Sequence, residues 1–470
     1  MNSKKSSRLW FILIPALSMW LGWGVRGLFG HANGAMIPGA LLALSLCYLL
    51  KDKRFSIGLV VALVAVGFGF GADETTLQTA GYLIGNPVFG RNLGLAYPGL
   101  ALKGGLWASF GGAGLGLALT AYLYRKRDLM IGVLLMVVAF YVGWWVINRP
   151  KLIYLSYDRR EIWGGLLFAV IALLAWMTRQ GKTRIPLKLA GWAALGGAVG
   201  YPIAVSLTAL GRHSAYAASY DWWKLAETTF GAFMGASIGN GVYLLKDSLP
   251  SLDEKPEPTP AKASHPWALV LGGTMGVIIA NTLYAGVMVG GTSRAFHNVL
   301  PWILLGPVLW CAAYYSDKAA WHIGVTMTFV ATATDLLLYY RHDLQTGNTA
   351  FLWALLGLAT IGVAWKVTGW CTEPSSPDVA RRAYLFLMWA LVALSCLLLF
   401  VNRGVLNPPP HAIAQAGGLW PYLLHAWGTG MLVGEAFIVA ALLLTRLFGG
   451  FSRVPNSSAA SIPRAEVETE

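Results

Sequence analysis

The sequence predicts an all-helical membrane protein of about fourteen transmembrane helices. Of its 470 residues, 56% are hydrophobic and only 12% are charged. Many apolar runs reach the roughly 17 to 25 residues that a helix needs to cross a hydrocarbon core about 30 Å thick. The connections between these runs alternate between short basic stretches and stretches of mixed charge. A soluble domain could not bury so much continuous apolar sequence, so a multi-pass helical fold is expected.

The predicted helices follow the apolar runs in chain order. They cover residues 9–25, 35–50, 56–72, 96–122, 129–147, 162–178, 186–210, 225–245, 266–291, 300–315, 319–340, 351–368, 383–402 and 422–448. Glycine and proline interrupt the segment 76–95 too often for a span. We interpret this segment as either a re-entrant or an interfacial loop, which a membrane tolerates at depth only where protein buries it.

The connections assign a side of the membrane to each helix. Short basic connections are typical of the cytoplasmic side, and here they are residues 51–54, 125–128, 178–184 and 380–382. Both termini fall on the same side. The chain then divides into helices 1–8 (residues 1–245), a Pro- and charge-rich cytoplasmic linker (246–265), helices 9–14 (266–450) and a cytoplasmic tail (451–470). The composition of the linker and the tail predicts disorder for both.

Three of the predicted helices share a pattern of Leu, Trp, Gly and Ala, which indicates an internal repeat. Residues 106–118 and 352–364 align in register, and residues 224–241 align with them more loosely. The copies are separated by multiples of about four predicted spans, as expected for parallel four-helix repeats over helices 1–12. The small residues also have a structural role, because they let helices pack closely in lipid.

Arginine is the dominant cation on the outer side of this topology, and every outer connection contains at least one. These residues are Arg26, Arg91, Arg149, Arg159, Arg160, Arg212, Arg294, Arg341 and Arg403. Acids on the same side are Asp73, Glu74, Asp158, Glu161, Asp221, Glu227, Asp335 and Asp343. A guanidinium group offers a fixed fork of donors that suits carboxylates, phosphates and sulfates.

Two interpretations of the outer arginines follow. In the first, they pair with the nearby acids and only hold the outer connections together. In the second, the seven connections converge on one polar site that binds an anionic substrate. Its substrate-binding residues would include Arg26, Asn33, Arg341 and Arg403, with His31 beside Asn33 in the first connection.

The same tripeptide, Ser-Tyr-Asp, precedes two predicted helices, at 156–158 and 219–221. The structural interpretation is that Ser or Asp caps the helix and that Tyr and Trp lie in the interfacial aromatic belt. The functional interpretation is a binding rim, because aromatic faces suit sugar rings or cations. The rim residues would be Asp158, Arg159, Asp221 and Trp222.

The predicted helix 319–340 carries a polar stripe. Its members repeat at steps of three and four residues and so share one helical face; they are Thr328, Thr332, Asp335, Tyr339 and His342. Asp335 lies within the span, where a carboxylate is costly unless it is paired, protonated or hydrated. In a hydrated site, Asp335 with His31 or His342 could serve as a catalytic general base.

Two further charged residues fall inside predicted spans. Glu435 lies near the centre of the last one, so it is a candidate catalytic or proton-carrying group. The alternative is a protonated carboxyl that hydrogen-bonds a neighbouring helix. Lys103 is the predicted counter-charge for one of the intramembrane acids and a candidate substrate-binding residue.

The sequence indicates no metal, cofactor or nucleic-acid site. Its Gly-rich runs lie within spans and lack the GK[ST] of a phosphate loop. It contains no HExxH motif, and its four cysteines form no CxxC pair. The net charge of +14 follows mostly from the basic cytoplasmic connections.

We expect this protein to be a secondary transporter of the inner (plasma) membrane. Many spans, short connections and intramembrane carboxylates are typical of carriers, here for a polar or anionic solute with proton coupling. The alternative is a membrane-embedded transferase or hydrolase with a periplasm-facing active site, acting on a lipid-linked glycan or another carbohydrate. A non-catalytic scaffold or sensor is a third interpretation. The motifs carry no family signature that we recognise. Apart from the substrate, the lipid bilayer is the expected partner.

Overall fold

The computed structural model describes residues 7–29, 34–72, 74, 77–85, 90–156, 161–214, 220–250, 300–333, 349–402, 410–426 and 432–449. These residues form helices and connections and no strands. The all-helical class predicted from the sequence is therefore confirmed.

The first half of the chain contains nine α-helices in its described part. They are α1 (Arg8–Phe29), α2 (Met36–Leu49), α3 (Ile57–Gly71), α4 (Leu77–Ile84), α5 (Leu93–Leu119), α6 (Lys126–Gly143), α7 (Trp163–Gly181), α8 (Ile185–Arg212) and α9 (Trp222–Leu245). A π-helical turn at Trp144–Asn148 continues α6, and short 3-10 turns lie at Ala121–Leu123 and Lys246–Ser248.

The second half continues with shorter helices. They are α10 (Leu300–Tyr315), α11 (Asp317–Trp321), α12 (Thr349–Cys371), α13 (Pro377–Asn402), α14 (Pro410–Gln415), α15 (Leu419–Ala426) and α16 (Leu432–Leu447). A π-helical turn at His322–Met327 continues α11.

Six helices in the described part are long and apolar enough to cross a membrane. They are Arg8–Leu28, Lys126–Asn148, Trp163–Gly181, Ile185–Arg212, Ala354–Cys371 and Pro377–Leu399. Much of the apolar surface of α6 is exposed, including Leu134 and Val138, as expected for a helix that faces lipid. The protein is therefore a multi-pass membrane protein. The predicted span 266–291 lies outside the described residues, so the count of about fourteen stays a prediction, as do the repeats.

Six helices of the first half pack as a closed ring. Around the ring the order is α1, α2, α3, α5, α8 and α9, with α9 returning to α1. Glycine allows the closest approaches between neighbours. A Cβ at Gly197 of α8 would lie 2.1 Å from the carbonyl oxygen of Gly104 on α5, and one at Gly239 of α9 would lie 1.7 Å from that of Phe11 on α1. Such backbone contact is the role expected of small residues between membrane helices.

The remaining helices surround this ring. The α6–α7 hairpin packs beside α5, while α10 and α11 pack on α3. The helix α13 lies against α2 and α16, and α16 also contacts α1. The short helix α4 lies in segment 76–95, which the sequence predicts to be a re-entrant or an interfacial loop. It packs against α5 and α8. Thr79 and Ala80 of α4 are buried, so protein covers one face of this helix, whereas residues 90–94 are exposed.

The two ends of the ring differ in chemistry. We call one end the basic end: it contains the connections at 51–54 and 125–128, where the Arg54 backbone N–H donates to Pro250 and Lys126 Nζ to the Tyr315 carbonyl. We call the other end the polar end: it contains the C-terminal turns of α1, the N-terminal turns of α9, and the connections that follow α3 and precede α7. Among the described residues, the charged side chains with the least exposure lie at the polar end.

Candidate functional site

Two clusters of buried charged side chains occupy the polar end. The first, which we call the lysine cluster, consists of Lys103, Glu74 and Glu161. Lys103 Nζ lies 2.8 Å from Glu161 Oε1 and 3.0 Å from Glu74 Oε1, and none of the three side chains is more than 1% exposed. Lys103 Nζ also donates to Ser156 Oγ at 2.6 Å. Burial of this kind strengthens each electrostatic interaction and makes an incomplete one costly.

The lysine cluster is assembled from three separate parts of the chain. Lys103 projects from α5, Glu74 follows the end of α3, and Glu161 stands just before α7. The Glu161 carboxylate accepts the Leu155 backbone N–H and the Trp163 indole N–H. These bonds fix the Glu161 carboxylate within its own connection, and the bond from Lys103 Nζ ties that connection to α5. The cluster is thus built into the fold rather than placed on a surface.

The second cluster, which we call the arginine cluster, consists of Arg26 on α1 and Lys224 and Glu227 on α9. Lys224 Nζ donates to Glu227 Oε2 at 2.6 Å, and Arg26 Nη1 lies 3.6 Å from Glu227 Oε1. The Arg26 guanidinium carbon is 5.4 Å from the Trp23 ring centroid and 5.3 Å from that of Trp107. Both distances are within the range of cation–π attraction.

Trp107 connects the two clusters. It lies one helical turn after Lys103 on α5, and its ring meets Trp23 edge-on with centroids 4.7 Å apart. Phe230 of α9 and Tyr201 of α8 complete an aromatic group around it. The indole N–H of Trp107 donates to a backbone carbonyl of α3 at 3.2 Å. The helix α5 therefore carries Lys103 of one cluster and, one turn later, the ring that the Arg26 guanidinium of the other cluster approaches.

A pocket of about 330 Å³ adjoins the arginine cluster. Its polar lining residues are Tyr220, Asp221, Lys224 and Thr228, and its apolar ones are Trp20, Trp222, Leu225, Leu432, Val433, Ala436 and Phe437. The pocket thus lies between the N-terminal turns of α9 and α16, beside α1. Its volume is in the range of small-molecule sites, which are mostly apolar with a few polar groups.

Asp221 has a structural role in this pocket. As the N-cap of α9, it accepts the Lys224 backbone N–H through Oδ1 at 3.1 Å. This agrees with the capping interpretation of the Ser-Tyr-Asp tripeptide. Trp222 begins α9 and packs on Gly211 of α8, so its ring is held in place beside the pocket.

The structure brings together only some of the predicted site residues. Arg26, Asp221 and Trp222 lie in or beside the arginine cluster and its pocket. Lys103 lies in the other cluster, and its ion-pair partners are Glu74 and Glu161, which sequence patterns did not single out as site residues. Their place in the chain could have indicated them, because each lies within three residues of the end of a predicted span. Helical periodicity could not, because neither lies within a span.

Glu435 lies beside the pocket. It stands in the first turn of α16 as described, Leu432–Leu447, and it is partly exposed. Its neighbours Val433 and Ala436 line the pocket. Residues 427–431, between α15 and α16, lie outside the described ranges, so the predicted central position of Glu435 in one span, 422–448, stays a prediction.

The other predicted site residues lie outside the described residues. They are His31, Asn33, Asp158, Arg159, Asp335, Arg341, His342 and Arg403. The general base that the enzyme interpretation requires therefore stays a prediction. Among the outer arginines that are described, Arg91, Arg149 and Arg212 are exposed, and Arg26 is the one that enters a buried cluster.

The described part of the predicted polar stripe is satisfied within its own helix. Thr328 and Thr332 are buried, and each hydroxyl donates to the carbonyl four residues earlier at 2.8 Å. These two hydroxyls are engaged by the backbone and need no solute. Within the described ranges, no group of three or more His, Cys, Asp or Glu side chains has the proximity that a metal ion requires.

Comparison with known proteins supplies no relative for this chain. No family model, no curated protein and no solved structure matches it.

Proposed function

We propose that the protein is a secondary transporter that carries a small organic anion across the inner membrane, coupled to protons. In this proposal the chain crosses the membrane about fourteen times, with both termini in the cytoplasm and the polar end facing the periplasm. The observation that carries it is the pocket of about 330 Å³ whose lining includes Lys224 of the arginine cluster.

Lys224 supplies the charge that would attract an anion to this pocket. Its ammonium group is bonded to Glu227, which also faces Arg26, so two cations share one carboxylate in the described part of this cluster. An anionic solute could exchange with Glu227 for these cations. In such an exchange the solute anion takes the place of Glu227, so the two cations stay compensated.

The apolar walls of the pocket favour a solute whose uncharged part is apolar. Trp20, Trp222 and Phe437 present aromatic surface, and the polar groups are few. The Asp221 carboxylate is used as a helix cap, so it is less able to receive a solute ammonium group. These features favour an organic anion with an apolar body over an inorganic anion or a zwitterion.

The test uses purified protein reconstituted in proteoliposomes. Three labelled probes carry an anionic group on an aromatic ring: benzenesulfonate, phthalate and phenyl phosphate. Sulfate tests the anionic group alone, and phenylalanine tests a zwitterion. We expect an inward proton gradient to drive uptake of at least one aromatic anion in clear preference to sulfate and phenylalanine.

Two variants locate the site. Lys224→Gln should reduce uptake more than tenfold, and Lys224→Arg should retain part of it because the charge remains. Arg382→Gln removes a cation at the basic end and should leave uptake unchanged. Each variant is first checked for its unfolding temperature. Absence of uptake of all three aromatic anions by the folded protein, or equal uptake by wild type and Lys224→Gln, would contradict the proposal.

A further inference from the structure

The lysine cluster contains two carboxylates and one ammonium group among the described residues. Glu74 and Glu161 both face Lys103 Nζ, at 3.0 and 2.8 Å. Within the described ranges, Lys103 and Glu161 are the titratable side chains that act on Glu74. A net charge in such a buried site is strongly unfavourable, and the usual relief is a proton on one acid. The neighbouring charged residues Asp73, Asp158, Arg159 and Arg160 lie outside the described ranges.

The two carboxyl groups differ in the donors that surround them. Glu161 accepts bonds from Lys103, from the Leu155 backbone N–H and from the Trp163 indole. Donors of this number favour the ionised form. Glu74 accepts one backbone N–H at Oε2, whereas its buried Oε1 accepts no hydrogen bond although Lys103 Nζ is near. The asymmetry assigns the charge to Glu161 and the proton to Glu74.

The electrostatics of Glu74 agree with this geometry. Burial raises the pKa of the Glu74 carboxyl, with Glu161 acting in the same direction and Lys103 opposing them. The folded protein therefore holds this proton at pH values where the unfolded chain has released it. Its contribution to stability is complete below the ordinary pKa of glutamate, about 4.3, and is lost as the pH rises through the folded-state pKa.

We propose that Glu74 is a buried proton-binding site and that its protonation is coupled to solute binding at the arginine cluster. The proton site stands on the geometry of the lysine cluster alone, while the coupling rests on the transport function proposed above. Loss of the proton adds a negative charge beside Lys103. The helix α5 carries Lys103 and, one turn later, Trp107, on whose ring the Arg26 guanidinium lies.

The experiment measures the protonated carboxyl group itself. Infrared spectra of the full-length protein in lipid nanodiscs are recorded over a pH titration, without solute. The wild type should show a carboxylic-acid C=O band that disappears as the pH rises. In Glu74→Gln the band should be absent, because Glu161 then pairs with Lys103 one to one. In Glu161→Gln it should also be absent, because Glu74 then ionises to balance Lys103.

Glu227→Gln is the matched control. Glu227 forms its ion pairs in the arginine cluster, away from Lys103, so the carboxylic-acid band should remain present in this variant. A second measurement, the unfolding temperature against pH, should be flatter for Glu74→Gln than for wild type. A wild-type protein without a titrating carboxyl band, or a band that persists in Glu74→Gln, would overturn the proton site.

The coupling has a separate readout. If the band is present but no organic anion is transported, the proton site stands and the transport proposal fails. If an organic anion is transported with the same gradient dependence by wild type and Glu74→Gln, the coupling is refuted whatever the spectra show. Loss of gradient dependence in Glu74→Gln, with residual downhill uptake, supports it.

Discussion

The two ends of the helical ring form ion pairs from the same residue types in opposite surroundings. At the polar end, the side chains of Lys103, Glu74 and Glu161 are at most 1% exposed. At the basic end, where Ser375 and Pro377 lie beside Lys51, Arg382 of α13 pairs with Glu373 while both side chains are more than a third exposed. Water screens the second pair and not the first. Contact between opposite charges is therefore a poor guide to energetic importance; exposure decides it.

The difference also separates structural ion pairs from functional candidates. Exposed pairs at the basic end can rearrange at little cost, and they suit connections that only need to stay in water. A buried cluster costs free energy to assemble, and an apolar core of the same volume is often as stable. The lysine cluster thus has a cost that packing does not explain, which makes it a candidate for a function.

The largest effect is expected for Lys103→Met. This change leaves two buried carboxyl groups without a cation and should lower the free energy of unfolding by about 3–5 kcal/mol. Denaturant unfolding of the purified protein measures it. Lys188→Met, which removes an exposed lysine from the basic-end turn of α8, is the control and should change stability by less than about 0.5 kcal/mol. Equal effects of the two changes would remove the distinction between the ends.

The second effect tests the close backbone contact between α5 and α8 beside the lysine cluster. A Cβ at Gly197 would lie 2.1 Å from the backbone of Gly104, next to Lys103, so Gly197→Ala should separate α5 from α8 and cost about 1–3 kcal/mol. Gly191 lies on the same helix, and a Cβ there would have no neighbouring atom within 4 Å, so Gly191→Ala should be neutral or stabilising. Similar unfolding temperatures for both variants would argue against a tight contact.

The third effect concerns the arginine cluster, which is intermediate in exposure. Glu227→Gln leaves Arg26 and Lys224 without their shared carboxylate, and we expect a loss of about 1–2 kcal/mol in the free energy of unfolding. The loss is smaller than for Lys103→Met because these side chains are 8 to 17% exposed. A loss as large as that of Lys103→Met would show that the clusters do not differ in hydration.

The smallest effect is expected at the basic end. Arg382→Gln should lower stability by less than about 1 kcal/mol, and added salt should reduce the difference from wild type. The salt dependence is measured by repeating the unfolding curves at low and high ionic strength. An effect that is large or independent of salt would mean that this end is shielded from water as the polar end is.

Several helices could be predicted closely from the sequence. Predicted 35–50 is Met36–Leu49 in the structure, and predicted 186–210 is Ile185–Arg212. The reason is that the length of an apolar run is itself the physical constraint on a membrane helix. The last predicted span, 422–448, covers Leu419–Ala426 and Leu432–Leu447, and residues 427–431 between them lie outside the described ranges, so its continuity stays a prediction.

The candidate site was predictable only in part. Arg26, Asp221 and Trp222 were selected because polar and aromatic residues at helix ends are visible in the sequence. The partners of Lys103 were not, because Glu74 and Glu161 come from connections far from it along the chain. Helical periodicity states which face a residue occupies, but it does not state which helix packs against that face.

The amino-acid sequence alone determined that this chain forms long apolar helices and that its basic connections gather at one end, because both properties depend on local composition and on the cost of placing charge in hydrocarbon. Only the tertiary structure decided that α5 lies between α3 and α8, so that Lys103 meets two acids and Trp107 meets Arg26. Those contacts depend on glycine backbones that approach closely across the ring, and such complementarity arises only when the helices are packed together.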